Sequence, residues 1–419
     1  MGAKTPSSGR FVSERRSHKI HVSELQIGMW ICKLDRDWLE TPFLLQGFMV
    51  ESMADIEVVA EHCQYVWVDA VEEHWVGNQR LQSASPAANK KNIFVNQVGF
   101  SEETNHVLGV YREARRITKS LLDEARLTSV INTRQAKETV NECVNSVLRN
   151  SDALMWLSKI RSQDEYTSEH CLNVCILAIA FGRQLGYTEE ELHDIGICGL
   201  LHDVGKMRVP PEVLNKPGKL TPQEFKQIQR HTVYGRNLLM SAGSGAAQAV
   251  DVAWAHHERL DGSGYPRGLK DSNISRYARI IAIVDAFDAM TADRCYGRAM
   301  TSTEALKNIY RARGTQFDGE LAEQFLKTIG LYPPGSLVEL VNGEVGLVFE
   351  TNQRYRQLPK IVLLRDANKA PINEKVLDLA LVEQGKLSRD YLIRTVHPDG
   401  SFGVSVRAYQ QQGLMFRHR

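Results

Sequence analysis

Six of the chain's 13 histidines, His170, His193, His202, His231, His256 and His257, fall in its middle part. Among them, His202-Asp203 in Leu200-Leu-His-Asp-Val-Gly-Lys206 offers an imidazole and a carboxylate on adjacent residues. Neighbouring helix residues point about 100° apart, so both reach one metal cluster only if it lies beside the helix and other helices close the shell. His170, His231, the pair His256-His257 and Asp285 are the candidates to close it. A single buried His or Asp is usually a satisfied core residue. Seven of them beside apolar helix sequence differ, because several unpaired polar groups cannot be buried cheaply without a metal.

The donor types narrow the chemistry. Cys171 and Cys175 have no partner pair, which disfavours a closed structural zinc site. If Asp203 and one water bridge two six-coordinate ions, the seven residues and the water fill about ten of twelve positions, leaving about two for substrate oxygens. A two-metal phosphodiester hydrolase needs that arrangement. Bridging between two cations lowers the pKa of the water enough to supply hydroxide near neutral pH, and the metals neutralise charge building on phosphorus. Mixed imidazole and carboxylate ligation points to two divalent ions, Fe or Mn best, with Zn, Co or Ni compatible. Lys206 follows on the same helix face as His202, one turn along, where its ammonium can bind a phosphate or stabilise a leaving oxygen. His193-Asp194 repeats the dipeptide without the following Gly-Lys and reads as a surface pair.

The elements that must place these groups read as mainly helical. Residues 1–18 are polar and Ser-, Arg- and Gly-rich, as in a disordered tail, and 19–76 mix short apolar runs into a small α+β domain. Residues 77–92, with Ser83-Ala-Ser-Pro-Ala-Ala-Asn89, form a linker. Residues 93–150 read as connector helices, with Val107, Val110, Tyr111, Ala114, Ile117, Leu121, Leu122 and Ala125 at intervals of three and four. Such a helix suits packing on its own domain or pairing with a second copy as a homodimer. Helical periodicity continues through 151–330, broken by turns. Thr221-Pro-Gln-Glu224 is a helix start, and Gly262 and Gly264 in Asp261-Gly-Ser-Gly-Tyr-Pro266 suit positive φ. Residues 331–409 become a small β module around the hairpin dipeptide Asn342-Gly343, and 410–419 form a tail. The fold class is therefore mainly α, with a small α+β domain before the helical domain and a small β module after it.

Composition removes other classes. With 51 Lys+Arg against 50 Asp+Glu the net charge is +1, without the basic excess expected of a protein that binds nucleic-acid polymers. Seven cysteines, an odd number with no C-x-x-C pair, fit a reducing compartment. No apolar run reaches the 18 or so residues of a membrane span, and Met1-Gly-Ala-Lys-Thr-Pro6 opens no signal peptide. A cytoplasmic protein that does not enter a membrane is expected.

At this point the motifs resemble a known family. Asp164-Glu-Tyr-Thr-Ser-Glu-His170, Leu201-His-Asp-Val-Gly-Lys206 and His231 are part of the match. His256-His-Glu-Arg-Leu-Asp-Gly-Ser-Gly-Tyr-Pro-Arg-Gly268 and Ile283-Val-Asp-Ala-Phe-Asp-Ala-Met-Thr-Ala-Asp-Arg294 complete it. Together they resemble the HD-GYP domain of bacterial cyclic dinucleotide phosphodiesterases, an all-helical branch of the HD hydrolases. The segment from Leu25-Gln-Ile-Gly-Met-Trp30 to Val66-Trp-Val-Asp69 resembles the uncharacterised domain often found ahead of it. The resemblance implies hydrolysis of cyclic di-GMP or a related cyclic dinucleotide to pGpG and onward to GMP. It makes His170, His202, Asp203, His231, His256, His257 and Asp285 the metal ligands. His202 and Asp203 act in catalysis with Lys206, which contacts the scissile phosphate, while Tyr265, Arg294 and Arg298 are candidate substrate contacts. It also implies that the Gly-Tyr-Pro loop meets partners such as diguanylate cyclase domains. The alternative within the family is a catalytically weak signalling adaptor that docks partners through that loop.

Two departures stand out. Members that hold a third metal place a glutamate four residues before the first histidine, where this chain has Tyr166. Family members also commonly read Asp-Arg-Pro-Tyr-Arg where this chain reads Asp293-Arg-Cys-Tyr-Gly297, with Arg298 one position later.

Overall fold

The computed structural model describes residues 10–36, 48–50, 52–76, 96–158, 166–243, 247–292, 299–352, 355, 357–406 and 408–409. The chain divides into two compact units, 1–90 and 91–419. Each is described by itself.

The described residues of the first unit form a four-stranded antiparallel sheet, one α-helix and a 3-10 turn at Val22–Glu24. Its elements are β1 (Arg10–His21), β2 (Trp30–Leu34), β3 (Phe48–Met49), α1 (Met53–His62) and β4 (Tyr65–Val76), and the strand order is β1-β4-β2-β3. Ser52 caps α1 in a reciprocal box with Asp55. Ile31, Val59, Val66 and Val68 are buried. The expected disordered tail over 1–18 is corrected from Arg10 onward. There β1 pairs residue for residue with β4, from Arg10 opposite Val76 to His21 opposite Tyr65. A long partner strand satisfies the backbone N–H and C=O groups of a polar segment, which composition alone does not reveal. The expected linker, 77–92, lies outside the described residues.

The second unit is helical at its start. It contains α2 (Phe100–Thr128), α3 (Thr133–Arg149), α4 (Ser151–Leu157), α5 (Tyr166–Leu185) and α6 (Glu189–Leu201). A 3-10 turn (Val204–Arg208) leads to α7 (Pro211–Leu214), α8 (Pro222–Gln229), α9 (His231–Ser241) and α10 (Ala247–Ala255). Then come α11 (Arg276–Thr291), α12 (Ser302–Arg311) and α13 (Gly319–Ile329). Among the described residues no helix is long and apolar enough to cross a membrane.

Helix α5 is the centre of this unit. It is buried along almost its whole length and packs against α6, α11, α2 and α3. Phe181 on α5 meets Phe325 on α13 with ring centroids 5.2 Å apart, and Phe325 meets Phe287 on α11 at 5.3 Å. Full burial of each such ring stabilises the fold by roughly 1.5–3 kcal/mol. The apolar stripe of α2 faces inward too: Val107, Tyr111, Ala114, Leu121, Leu122 and Ala125 are buried, and the helix packs on α3 and α5. Of the two uses expected for that stripe, the structure shows packing within its own chain.

The chain ends in a five-stranded antiparallel sheet of β5 (Leu337–Leu340), β6 (Val345–Glu350), β7 (Lys360–Arg365), β8 (Pro371–Asp378) and β9 (Ile393–His397), ordered β8-β7-β6-β5-β9. Phe349 packs on Phe100 with centroids 5.3 Å apart. The Asp152 carboxylate at the start of α4 accepts from Thr351 N at 2.9 Å and Thr351 Oγ1 at 2.7 Å. Burial pushes the Asp152 carboxyl up to about 6 against the pull of those two bonds.

Candidate metal centre

His170 stands in the first turns of α5, His202 and Asp203 directly follow α6, His231 opens α9, His256 and His257 follow α10, and Asp285 lies on α11. These seven sequence-predicted residues meet at one place. Donor atoms of Asp203, His231, His256 and His257 lie within 4.8 Å of one another, and so do those of His170, His202 and Asp285.

Asp203 joins the two sets. Its Oδ2 lies 3.4 Å from His170 Nε2 and 3.3 Å from His202 Nε2, while its Oδ1 lies 3.2 Å from His231 Nε2 and 3.7 Å from His256 Nε2. Each oxygen faces one set of imidazoles. Asp285 Oδ1 is 3.1 Å from His170 Nε2, and its Oδ2 is 3.9 Å from His257 Nδ1.

Outer partners orient these rings. His202 Nδ1 donates to Gly199 O at 2.8 Å, His231 Nδ1 to Ile228 O at 2.6 Å, and His256 Nδ1 to Val252 O at 3.0 Å. Since a carbonyl only accepts, Nδ1 carries a proton and Nε2 of each ring is turned to the centre. His170 Nδ1 is held by Asp288 Oδ2 at 2.7 Å. Buried His202 Nε2 and Asp203 Oδ1 make no hydrogen bond. Converging ring nitrogens, orphaned buried atoms and two carboxylates are what a pair of divalent cations would satisfy, so the donor set fits metal.

The charge states agree. Burial would raise the Asp203 carboxyl, but Lys206 and the His202 and His170 rings outweigh it and hold the group well below the usual carboxylate range. Burial drives His231 down to about 3 despite the nearby Asp203, and drives His257 well below its ordinary value, which keeps both rings neutral. At His170 burial is overcome by Asp203, Asp285 and Asp288, which pull the ring well above its usual value. The carboxylates there call for positive charge.

Lys206 corrects one expectation. Helix α6 ends at Leu201, so Lys206 is carried on the 3-10 turn and not on one continuous helix face with His202. The turn brings its Nζ back onto Asp203 Oδ2, with the side chain 20% exposed. The turn exists because α9 crosses it closely: a Cβ on Gly205 would stand 1.9 Å from His231 O and 2.4 Å from Gly235 N. The loop after His257 is tight for two reasons. Gly262 has φ +81°, as expected, whereas Gly264 is required by close approach, since a Cβ there would lie 2.4 Å from Arg259 N and 2.5 Å from His257 O. The loop lays the Tyr265 ring over His257, centroids 4.7 Å apart and planes tilted 32°.

His257 and Asp285, 27% and 14% exposed, open the centre to solvent. His193 and Asp194, half-buried on α6, are not part of it. Arg294 and Arg298 lie outside the described residues. Sequence reasoning missed two carboxylates. Asp288, one helical turn beyond Asp285, holds His170, and its spacing of three was a usable signal. Glu258, buried, accepts from Arg267 N at 2.7 Å and Leu269 N at 2.9 Å and so fixes the loop carrying Tyr265. Nothing in its sequence position marks that role.

Helices that bring a His-Asp dipeptide, four further histidines and a distant aspartate to one centre define an HD-type hydrolase domain, and residues 151–321 match the HD domain family. Residues 17–136 match a domain of unknown function, DUF3391. The cyclic di-GMP phosphodiesterase PA4108 of Pseudomonas aeruginosa is 37% identical over 372 residues, covering 87% of this chain and 90% of that protein. A cyclic di-GMP phosphodiesterase of Thermotoga maritima is 34% identical over 224 residues, 53% of this chain and 59% of that one. The 3'3'-cGAMP-specific phosphodiesterase 1 of Vibrio cholerae is 40% identical over 163 residues, 38% of this chain and 37% of that one. The chain belongs to the HD-GYP family of cyclic di-GMP phosphodiesterases.

Proposed function

We propose that this protein is a metal-dependent phosphodiesterase that linearises cyclic di-GMP to pGpG, with GMP as a further product, at the centre organised by Asp203. The observation that carries the reading is the split of Asp203, one oxygen toward His170 and His202 and the other toward His231 and His256. A carboxylate so placed bridges two ligand sets, with His257 and Asp285 completing them. Bound there, two divalent ions would supply a nucleophilic water at neutral pH and neutralise charge at phosphorus. Imidazole and carboxylate donors without thiolate favour Fe or Mn.

The chain's own residues do the rest. Nδ1 bonds from His202, His231 and His256 lock the rings in place before substrate arrives. The Lys206 ammonium, beside Asp203 and partly exposed, is placed to bind a non-bridging phosphate oxygen. Tyr265 and the loop held by Glu258 wall the open side. The relative matched over 90% of its length is named for cyclic di-GMP, whereas the cyclic GMP-AMP relative matches over 37% of its length, so we favour cyclic di-GMP. Anaerobic purification, metal analysis and turnover of a cyclic dinucleotide panel test the proposal. Hydrolysis led by cyclic di-GMP supports it, and no hydrolysis of any member with Fe or Mn loaded defeats it.

A further inference from the structure

Phe225 lies on α8, a helix that buries none of its residues. That helix is held by local polar contacts. Thr221 and Glu224 form a capping box around Pro222, and the Glu224 carboxylate accepts from Lys216 Nζ at 2.7 Å. Phe225 is 47% exposed. A lone exposed aromatic is ordinary. This one adjoins the metal centre: it meets Tyr265 edge to face, with centroids 6.2 Å apart and planes at 79°. Tyr265 in turn covers His257. The imidazole therefore lies against one face of Tyr265, and the Phe225 ring stands nearly at right angles to Tyr265.

A cyclic dinucleotide carries two flat purines alongside its two phosphates. Proteins hold bases without reading their edges by stacking them on aromatic faces. We propose that Phe225 and Tyr265 form a stacking corner for one purine base of the substrate, with Phe225 supplying the exposed face and Tyr265 the adjoining wall. This rests on the cyclic dinucleotide reading above and adds to it the residue that holds a base. Phe225 is a binding residue whose contribution does not depend on the order of events at phosphorus.

The test compares metal-loaded full-length protein with its F225A and F225W variants on cyclic di-GMP. F225A is expected to raise KM about tenfold, within the range that base–aromatic stacking supplies, with the loss carried by KM and not kcat. F225W is expected to restore the wild-type value. A cyclic dinucleotide bearing 2-aminopurine, whose fluorescence is quenched by stacking, should be quenched by wild type and F225W and much less by F225A. Wild-type KM and quenching in F225A would overturn the corner while leaving the phosphodiesterase reading intact. Absence of binding and turnover of every cyclic dinucleotide by the wild-type protein would overturn both.

Discussion

His231 Nε2 lies 3.3 Å from His256 Nε2 while the Nδ1 of each ring is engaged by a backbone carbonyl. Rings so tethered turn both Nε2 atoms into the same space beside Asp203, an arrangement that a cation between them would satisfy. Metal binding and folding stability are therefore coupled. Chelation of the purified protein should lower Tm by several degrees, and readdition of Fe(II) or Mn(II) under anaerobic conditions should restore it. A Tm indifferent to chelator and metal in differential scanning fluorimetry would refute this coupling.

Asp288 Oδ2 engages His170 Nδ1 at 2.7 Å. Removing its negative charge while keeping its shape, as D288N, frees the His170 ring to rotate. Second-partner changes of this kind cost about 10–100-fold in metal affinity. Competition against a chromogenic chelator should show that loss in D288N while circular dichroism stays native. Unchanged affinity would make Asp288 a packing residue.

Gly205 has no room for a side chain, since its Cβ would meet His231 O at 1.9 Å. G205A must push α9 away from the 3-10 turn and displace both Lys206 and His231. Overpacking costs typically about 1–3 kcal/mol, and contact with backbone places this site at the upper end. We expect a large fall in Tm together with loss of turnover. A variant with wild-type stability and kcat would show that the turn yields freely.

Much of the centre was legible because chemistry constrains residue type. Imidazoles and carboxylates scattered over several helices needed a common cation, and the structure gathers all seven within two adjoining sets. What escaped was how backbone brings them together. Lys206 was placed by helical periodicity, but the close crossing at Gly205 replaces that helix with a 3-10 turn. The Ser- and Arg-rich start of β1 hid a strand, because its partner β4 is far along the chain and supplies backbone bonds that residue types do not show. Strand β8 was hidden similarly: the polar run Asn373-Glu374-Lys375 at its centre gives little apolar alternation.

Asp152 joins the helices to the last sheet, and its carboxyl is pushed up to about 6 by burial. Unfolded, the group titrates near about 3.9. Between those values the folded state binds more protons than the unfolded state, so this residue's contribution to stability falls as pH rises from about 4 to about 6. D152N removes the titration. The Tm of D152N relative to wild type should therefore rise across that interval. A constant difference from pH 4 to 7 would contradict the assignment.

The most direct test is a titration of metal-free protein with Fe(II) or Mn(II) under anaerobic conditions, following pGpG formation from cyclic di-GMP, alongside D203N. With Asp203 serving both ligand sets, turnover should rise until about two ions per chain are bound, and D203N should bind metal weakly and turn over nothing measurable. Full activity at one ion or none, or undiminished activity in D203N, would contradict the account.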